Sequence, residues 1–345
     1  MTVSTLMFRE AAETPGKVAA QHAGNRDAAA RIAARLDAMK PRIVLTCARG
    51  SSDHAAVYAK YLFETRLGLP TCSFAPSVAS VYKVRLAMDN ALFLCISQSG
   101  RSPDLVQAAD VARRQGAYVV AIVNDEESPL ADIAEDVLPI GAGPEKSVAA
   151  TKSCIGSMSA VYGLCAAWRG DADMAAALRA LPATLSAALA CDWSAAAPVM
   201  ETARQAFIIS RGIGLAAAQE AALKLKETSK IQAEAFSAAE VRHGPMAIVE
   251  AGFPVVAAGA FDAAQDSIDG VVSHFAARGA RVFAAGAPAG GGEGITLLPM
   301  PRADATDLQP LVFLMAFYRF ANELALRRNL DPDNPEHLKK VTETL

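Results

Sequence analysis

The chain has 345 residues, of which 52% are hydrophobic and 20% charged, with a formal net charge of −3. That length exceeds one ordinary domain, and the balance is that of a globular chain rather than a disordered one. It argues against a nucleic-acid partner, because no basic run occurs and aromatic residues make up only 6%. The most apolar stretches, such as Leu311 to Phe317, end long before the ~18 residues a membrane span needs. The N-terminus lacks the basic start and long apolar core of a signal peptide. Six cysteines form no CxxC pair and no metal spacing. These features predict a reduced, soluble, cytoplasmic protein with neither metal nor cofactor.

In chain order, residues 1–24 are expected to form a helical segment. Arg42-Ile-Val-Leu-Thr-Cys-Ala-Arg49-Gly50-Ser51-Ser52 then reads as an apolar strand entering a glycine-containing loop, with helical periodicity from Ala55 to Phe63. Ala91 to Ile96 is a second apolar run. It delivers Ser97-Gln98-Ser99-Gly100-Arg101-Ser102-Pro103 to a helix start, where proline fits the first turn. Hydroxyls and N–H groups at a helix N-terminus are what a phosphate needs. An ordinary Ser-capped βα turn has the same composition. Ala112 to Ile122 is a helix end, a stop at Gly116 and a strand. Cys47 and Cys95 fall in these strands and read as buried thiols.

The landmarks then recur. Gln205 to Gly214 repeats the first strand and loop, with Gly212 standing for Gly50, and Ala276 to Ala284 repeats the Gly116 stop at Gly279. Strands alternating with helices imply right-handed βαβ units. The expected fold is α/β, with two doubly wound parallel-sheet domains over 25–165 and 200–330. A helical connection over 166–199 and a C-terminal tail over 331–345 complete it. In such sheets ligands sit at the carboxyl ends of strands, so the loops at 47–52 and 97–102 should lie side by side. At the position of Ser97 the second copy has Gly259, so that half lacks the hydroxyls and is free for different chemistry.

From Leu215 to about Glu240 the chain reads as a long helix whose first part is a strong helix former. Glu220, Lys224 and Glu227 fall at i, i+4 and i+7 and share one face. A solvated salt-bridge ladder would have this spacing. A carboxylate, an amine and the imidazole of His243 converging on a phosphorylated substrate would have it too, and would suit proton transfer.

Here the order of motifs carries a resemblance. Glu220-x-x-x-Lys224-x-Lys-Glu227 followed by Glu240-Val-Arg-His243-Gly-Pro, the Ser-Gln-Ser-Gly loop, Glu145-Lys-Ser-Val148-Ala-Ala-Thr-Lys152, and the tail Asp331 to Lys340 all occur in this chain. Together they resemble the sugar-isomerase (SIS) family, as in the isomerase half of glucosamine-6-phosphate synthase, from about residue 25 onward. The resemblance implies flavodoxin-like domains and a sugar-phosphate substrate. It implies that Ser52, Ser97, Gln98, Ser99 and Ser102 hold the phosphate, with backbone near Gly50, Ser51 and Val148 completing the pocket. Glu227 would move a proton between C1 and C2 of the open-chain sugar, and Glu220 would orient Lys224, which handles the 2-position. Lys340 would reach the sugar carbonyl, where an amine can form a Schiff base. His243 would assist ring opening from the neighbouring subunit, so a homodimer with shared active sites is expected.

Two departures refine this. Arg101 follows the Ser-Gln-Ser-Gly loop where the family usually has Glu, which is more similar to the catabolic, deaminase-type branch. Met1 is followed by Thr2, not by the nucleophilic cysteine of a glutaminase domain. The expected reaction is therefore conversion of glucosamine 6-phosphate and water to fructose 6-phosphate and ammonia. Alternatives are a fructosamine-6-phosphate deglycase, a galactosamine-6-phosphate deaminase and an ammonia-dependent synthase. From another class, a non-catalytic sugar-phosphate sensor would need the serine loop but not Glu227, His243 and Lys340 together.

Overall fold

The computed structural model describes residues 5–286 and 293–340. The first four residues of the expected N-terminal segment, residues 287–292 of the expected second domain and the last five of the expected tail lie outside them. The described chain divides into two compact units. One comprises Gly16–Glu145, Lys152–Arg179 and residues 339–340; the other comprises residues 5–15, Lys146–Thr151 and Ala180–Leu338.

The N-terminal unit contains the second half of α1 (Leu6–Gly24), then α2 (Arg26–Met39), β1 (Ile43–Cys47), α3 (Ser51–Leu67), β2 (Thr71–Ser73), α4 (Pro76–Ser80) and β3 (Ala91–Ser97). It continues through α5 (Pro103–Arg114), β4 (Tyr118–Val123), α6 (Pro129–Ile133), β5 (Asp136–Pro139) and α7 (Lys152–Arg169). Its strands form one parallel sheet in the order β2-β1-β3-β4-β5. β3 and β4 are buried along their whole length, as central strands covered by helices on both faces must be, which is why they read as unbroken apolar runs. Phe74 and Phe93 meet edge to face in the core beneath them. Cys47 and Cys95 are register neighbours and buried. A hydrogen bond between the two thiols, then burial, pushes Cys95 well above the usual thiol range, so it is an inert packing group.

The C-terminal unit takes most of α8 (Ala172–Leu189), α9 (Ala197–Met200), β6 (Gln205–Ser210), α10 (Leu215–Ser229), β7 (Gln232–Ser237) and β8 (Pro254–Ala258). It then takes α11 (Gln265–Ala277), β9 (Arg281–Ala285), β10 (Ile295–Leu298) and α12 (Gln309–Arg327). Read from its β7 edge, the sheet order is β7-β6-β8-β9-β10, again all parallel. Both sheets thus follow the order second-first-third-fourth-fifth of a flavodoxin-like doubly wound fold. Gly116 and Gly279 follow α5 and α11 with φ of 90° and 82°, as the paired stops require. No single described helix is long and apolar enough to cross a membrane; α8 passes such a test only together with the bent 194–200 segment.

One expectation is corrected. The long helix stops at Ser229, where Lys230 takes the left-handed conformation (φ 51°) and donates its N–H to the Leu225 carbonyl. Ile231 then leads into edge strand β7 (Gln232–Ser237): Ile231 and Ala233 are buried while Gln232 and Glu234 face solvent. Alanine, glutamine and glutamate favour helix as single residues, but the alternation suits a half-exposed edge.

The tail is pinned inside the C-terminal unit. The Asp333 carboxylate accepts the Leu6 and Met7 N–H groups at 2.7 Å each, satisfying first-turn donors of α1, while its carbonyl accepts the Val148 N–H at 3.2 Å. Asp333→Ala should lower stability by about 1 kcal/mol in urea unfolding, the usual worth of a helix cap.

Candidate active site

In the N-terminal unit β1 and β3 are paired, so the loops that follow them leave the same edge of the sheet. α3 begins at Ser51 and α5 at Pro103, so two helix N-termini face that edge, each with donors and positive dipole ends. The serines here are not equivalent. Ser97 is 5% exposed and its Oγ accepts the Gly100 N–H at 3.1 Å, bracing the loop from within. Ser99 Oγ accepts the Arg101 N–H at 3.3 Å. Ser102 is the N-cap residue of α5 yet makes no side-chain capping bond, unlike Ser128, which caps α6 through the Ala131 N–H. An ordinary Ser-capped turn would spend that hydroxyl on its helix; this one does not.

The loop is held rigidly. Gly100 has φ 62°, and a Cβ there would lie 2.0 Å from Ser128 Oγ, so no other residue fits. The Gln98 carbonyl accepts the Asn124 N–H at 3.2 Å and the Gly100 carbonyl the Leu130 N–H at 3.1 Å. Arg101 is turned to Asp125 at 2.8 Å, and this bond holds the Asp125 carboxyl below its ordinary range. Sequence reasoning passed over Arg49. Its guanidinium reaches Asp104 Oδ2 from Nε (2.9 Å) and Nη2 (2.8 Å), tying the loop after β1 to the first turn of α5. An arginine before Gly50 and an aspartate after Pro103 were the available signals. Gly50 (φ 55°), Ser51 and Ser52 form the start of α3.

Beside them burial pushes the Asp53 carboxyl up, against the opposing pull of His54 and Arg49. Because its folded pKa exceeds the unfolded one, its cost is absent below the ordinary Asp range (about 4) and grows as pH rises through the folded value. Asp53→Asn should therefore raise Tm at pH 7, with the gain shrinking towards pH 3.5 in thermal unfolding.

Lys340 of the tail comes to this unit as well. Lys340 Nζ lies 3.1 Å from Glu145 Oε2. Val148, by contrast, belongs to the C-terminal unit, and its N–H is already committed to Asp333.

In the C-terminal unit α10 carries the three-residue array. It is not a solvated ladder: the side chains of Lys224 and Glu220 are 0% exposed, and Glu227 keeps 19%. Lys224 Nζ is ion-paired with Glu227 and lies 3.4 Å from Glu220 Oε1, which also accepts the Tyr318 hydroxyl of α12 at 3.1 Å. A buried ammonium thus fixes a partly open carboxylate. Lys224→Met should cost 3–5 kcal/mol, on the order found when one partner of a buried pair is removed, while Lys224→Met with Glu220→Gln should recover much of that loss in denaturant titration.

His243 lies elsewhere. Glu227 sits in the last turn of α10, about 18 Å along from Leu215 by helix rise. His243 follows the carboxyl end of β7, which runs back roughly 17 Å. Glu227 and His243 are therefore at opposite ends of the unit and do not converge within one chain. His243 lines a cavity of about 420 Å³ with Arg211, Arg242, Asp266 and Ser267, where Arg211 Nη1 donates to Ser267 Oγ at 2.6 Å. The hydroxyl loop has no counterpart here, for a physical reason. A Cβ at Gly259 would stand 2.4 Å from the Gly286 carbonyl oxygen, so the backbone occupies the space that a Ser97 equivalent would need.

With this geometry in hand, the comparisons with known proteins are specific. The SIS domain model matches residues 39–167 and 200–285. A glutamine–fructose-6-phosphate aminotransferase (isomerizing) of Thermococcus kodakarensis is 33% identical over 97% of this chain and 57% of its own length. That of Methanothermobacter thermautotrophicus is 34% identical over 84% of this chain and 50% of its own length. The chain thus spans about half the length of the curated relatives it matches. Among solved structures, a candidate phosphosugar isomerase from Silicibacter pomeroyi superposes with a TM-score of 0.91 at 43% identity, covering 96% of this chain and 100% of its own. The glucosamine-6-phosphate deaminase of Thermotoga maritima shares the fold, with a TM-score of 0.77 at 20% identity over 99% of this chain and 100% of its own.

Proposed function

We propose, from the premise that this chain belongs to the SIS domain family, that it interconverts glucosamine 6-phosphate and water with fructose 6-phosphate and ammonia. The observation that carries this reading is the Glu227 carboxylate, partly open and held by an ammonium that is itself wholly buried. A pure phosphate sensor has no use for that arrangement. The two helix N-termini and the Ser97–Ser102 loop anchor the phosphate. Lys340 engages the carbonyl of the open chain, and Glu227 removes the proton from one of the adjacent carbons C1 and C2 and returns it to the other. Lys224 keeps Glu227 fixed while charge develops at the 2-position. In the deaminating direction the resulting C2 imine is hydrolysed to ketone and ammonia.

The aminotransferase relatives at one-third identity favour a second reading of the same site, in which it runs towards glucosamine 6-phosphate with ammonia as the nitrogen source. Measuring both directions separates the two. Glu227→Gln should reduce ammonia release from glucosamine 6-phosphate by about 10²–10⁴-fold, the usual worth of a general base. An unchanged rate overturns the mechanism.

The same reading makes the enzyme a homodimer in which His243 serves the partner's site, supported by its position at the far end of the unit from Glu227. Two inactive variants, Glu227→Gln and His243→Ala, when refolded together, should then regain about a quarter of wild-type activity, because half the dimers are mixed and each holds one intact site.

A further inference from the structure

Glu145 opens the motif that contains Val148 but was given no role of its own, and the structure gives it unusual surroundings. Its side chain is 0% exposed. It accepts the Ser153 N–H at 3.1 Å and the Ser153 hydroxyl at 2.6 Å, in the first turn of α7, and the Lys340 ammonium at 3.1 Å. A carboxylate so buried needs such donors, and Ser153 already supplies two of them at a helix N-terminus. The dependence therefore runs the other way. The tail is fastened at Asp333 and at the exposed Lys230–Glu336 pair, and its next side-chain anchor is Lys340 on Glu145.

The first turn of α7 also touches the phosphate loops. Cys154, next to Ser153, has its Sγ 3.5 Å from the Ser51 carbonyl, in the first turn of α3. Lys340, Glu145, Ser153, Cys154 and Ser51 thus form one connected row within a single compact unit.

We propose that Glu145 fixes the Lys340 amine, and carries its proton, at the carbonyl end of a sugar phosphate whose other end is held at Ser51–Ser52 and the Ser97–Ser102 loop. This rests on the reading of Lys340 given above. The step balances without any further reagent. The ammonium passes one proton to the Glu145 carboxylate, and the amine nitrogen forms a bond to the carbonyl carbon. The alkoxide oxygen takes a second proton from that nitrogen to give a carbinolamine, whose hydroxyl then takes the first proton back from Glu145 and leaves as water. The product is a protonated imine, with Glu145 again ionised.

The test compares wild type, Glu145→Gln and Lys340→Met in three measurements. These are borohydride trapping of fructose 6-phosphate with peptide mass mapping, steady-state ammonia release, and hydrogen exchange of residues 331–340. Glu145→Gln keeps the acceptor for Ser153 but loses the charge. It should cut the Lys340 adduct and kcat at least tenfold with KM changed less than threefold, and should speed exchange in the tail. Lys340→Met alters only the tail, so it folds, and it should show the same faster exchange with no adduct. Trapping at Lys340 in Glu145→Gln equal to wild type, or unchanged tail exchange in both variants, overturns the proposal. Absence of ammonia release from the wild type instead overturns the function, and the exchange data still decide whether Glu145 holds the tail.

Discussion

The C-terminal unit is organised around an ammonium that cannot reach water. Moving a lysine head group into the interior costs several kcal/mol unless opposite charge and hydrogen bonds surround it, so its neighbours are constrained more tightly than any apolar contact would constrain them. Glu220 and Glu227 supply that charge from the same helix, and Tyr318 of α12 satisfies Glu220 in turn. α10 and α12 are held in one register by this chain of bonds, and Trp193 with Phe313, Phe317 and Phe320 packs the other side of α12. What emerges at the surface is the Glu227 carboxylate, 19% exposed and tied to the buried ammonium.

The two units share a topology and have spent it differently. In the N-terminal unit the carboxyl edge of the sheet is a set of small residues, hydroxyls and helix starts, drawn together by Arg49 on Asp104 and closed against Ser128 at Gly100. In the C-terminal unit the equivalent edge is filled by backbone at Gly259 and Gly286, and a basic cavity opens around His243 instead. One unit gathers hydroxyls and helix starts at its loops; the other presents a carboxylate on the flank of a helix.

Much of this was legible in the residues themselves. Unbroken apolar runs identified the central strands β3 and β4, and the glycine stops marked where α5 and α11 end. The edge strands were harder. β7 is written in helix-forming letters, and only the alternation of Ile231 and Ala233 with Gln232 and Glu234 betrays it. At the site, spacing placed Glu220, Lys224 and Glu227 on one face but could not tell a buried array from a solvated one, because burial is decided by α12, almost a hundred residues away. The Arg49–Asp104 clamp and the Glu145–Lys340 pair were invisible for the same reason: each joins residues far apart in the chain through charges that, in a sequence, look like ordinary surface.

The way the chain divides has a consequence for its history and its dissection. Each compact unit is assembled from three separate stretches, with the loop after Glu145 and the two chain ends exchanged between them. Glu10 of α1 holds that loop through the Lys146 and Ser147 N–H groups at 2.6 and 3.1 Å. No single cut can therefore yield two self-sufficient halves. Halves separated at one point would each lack a stretch that packs in their own unit, so the repeat in this chain is no longer two self-contained copies laid end to end.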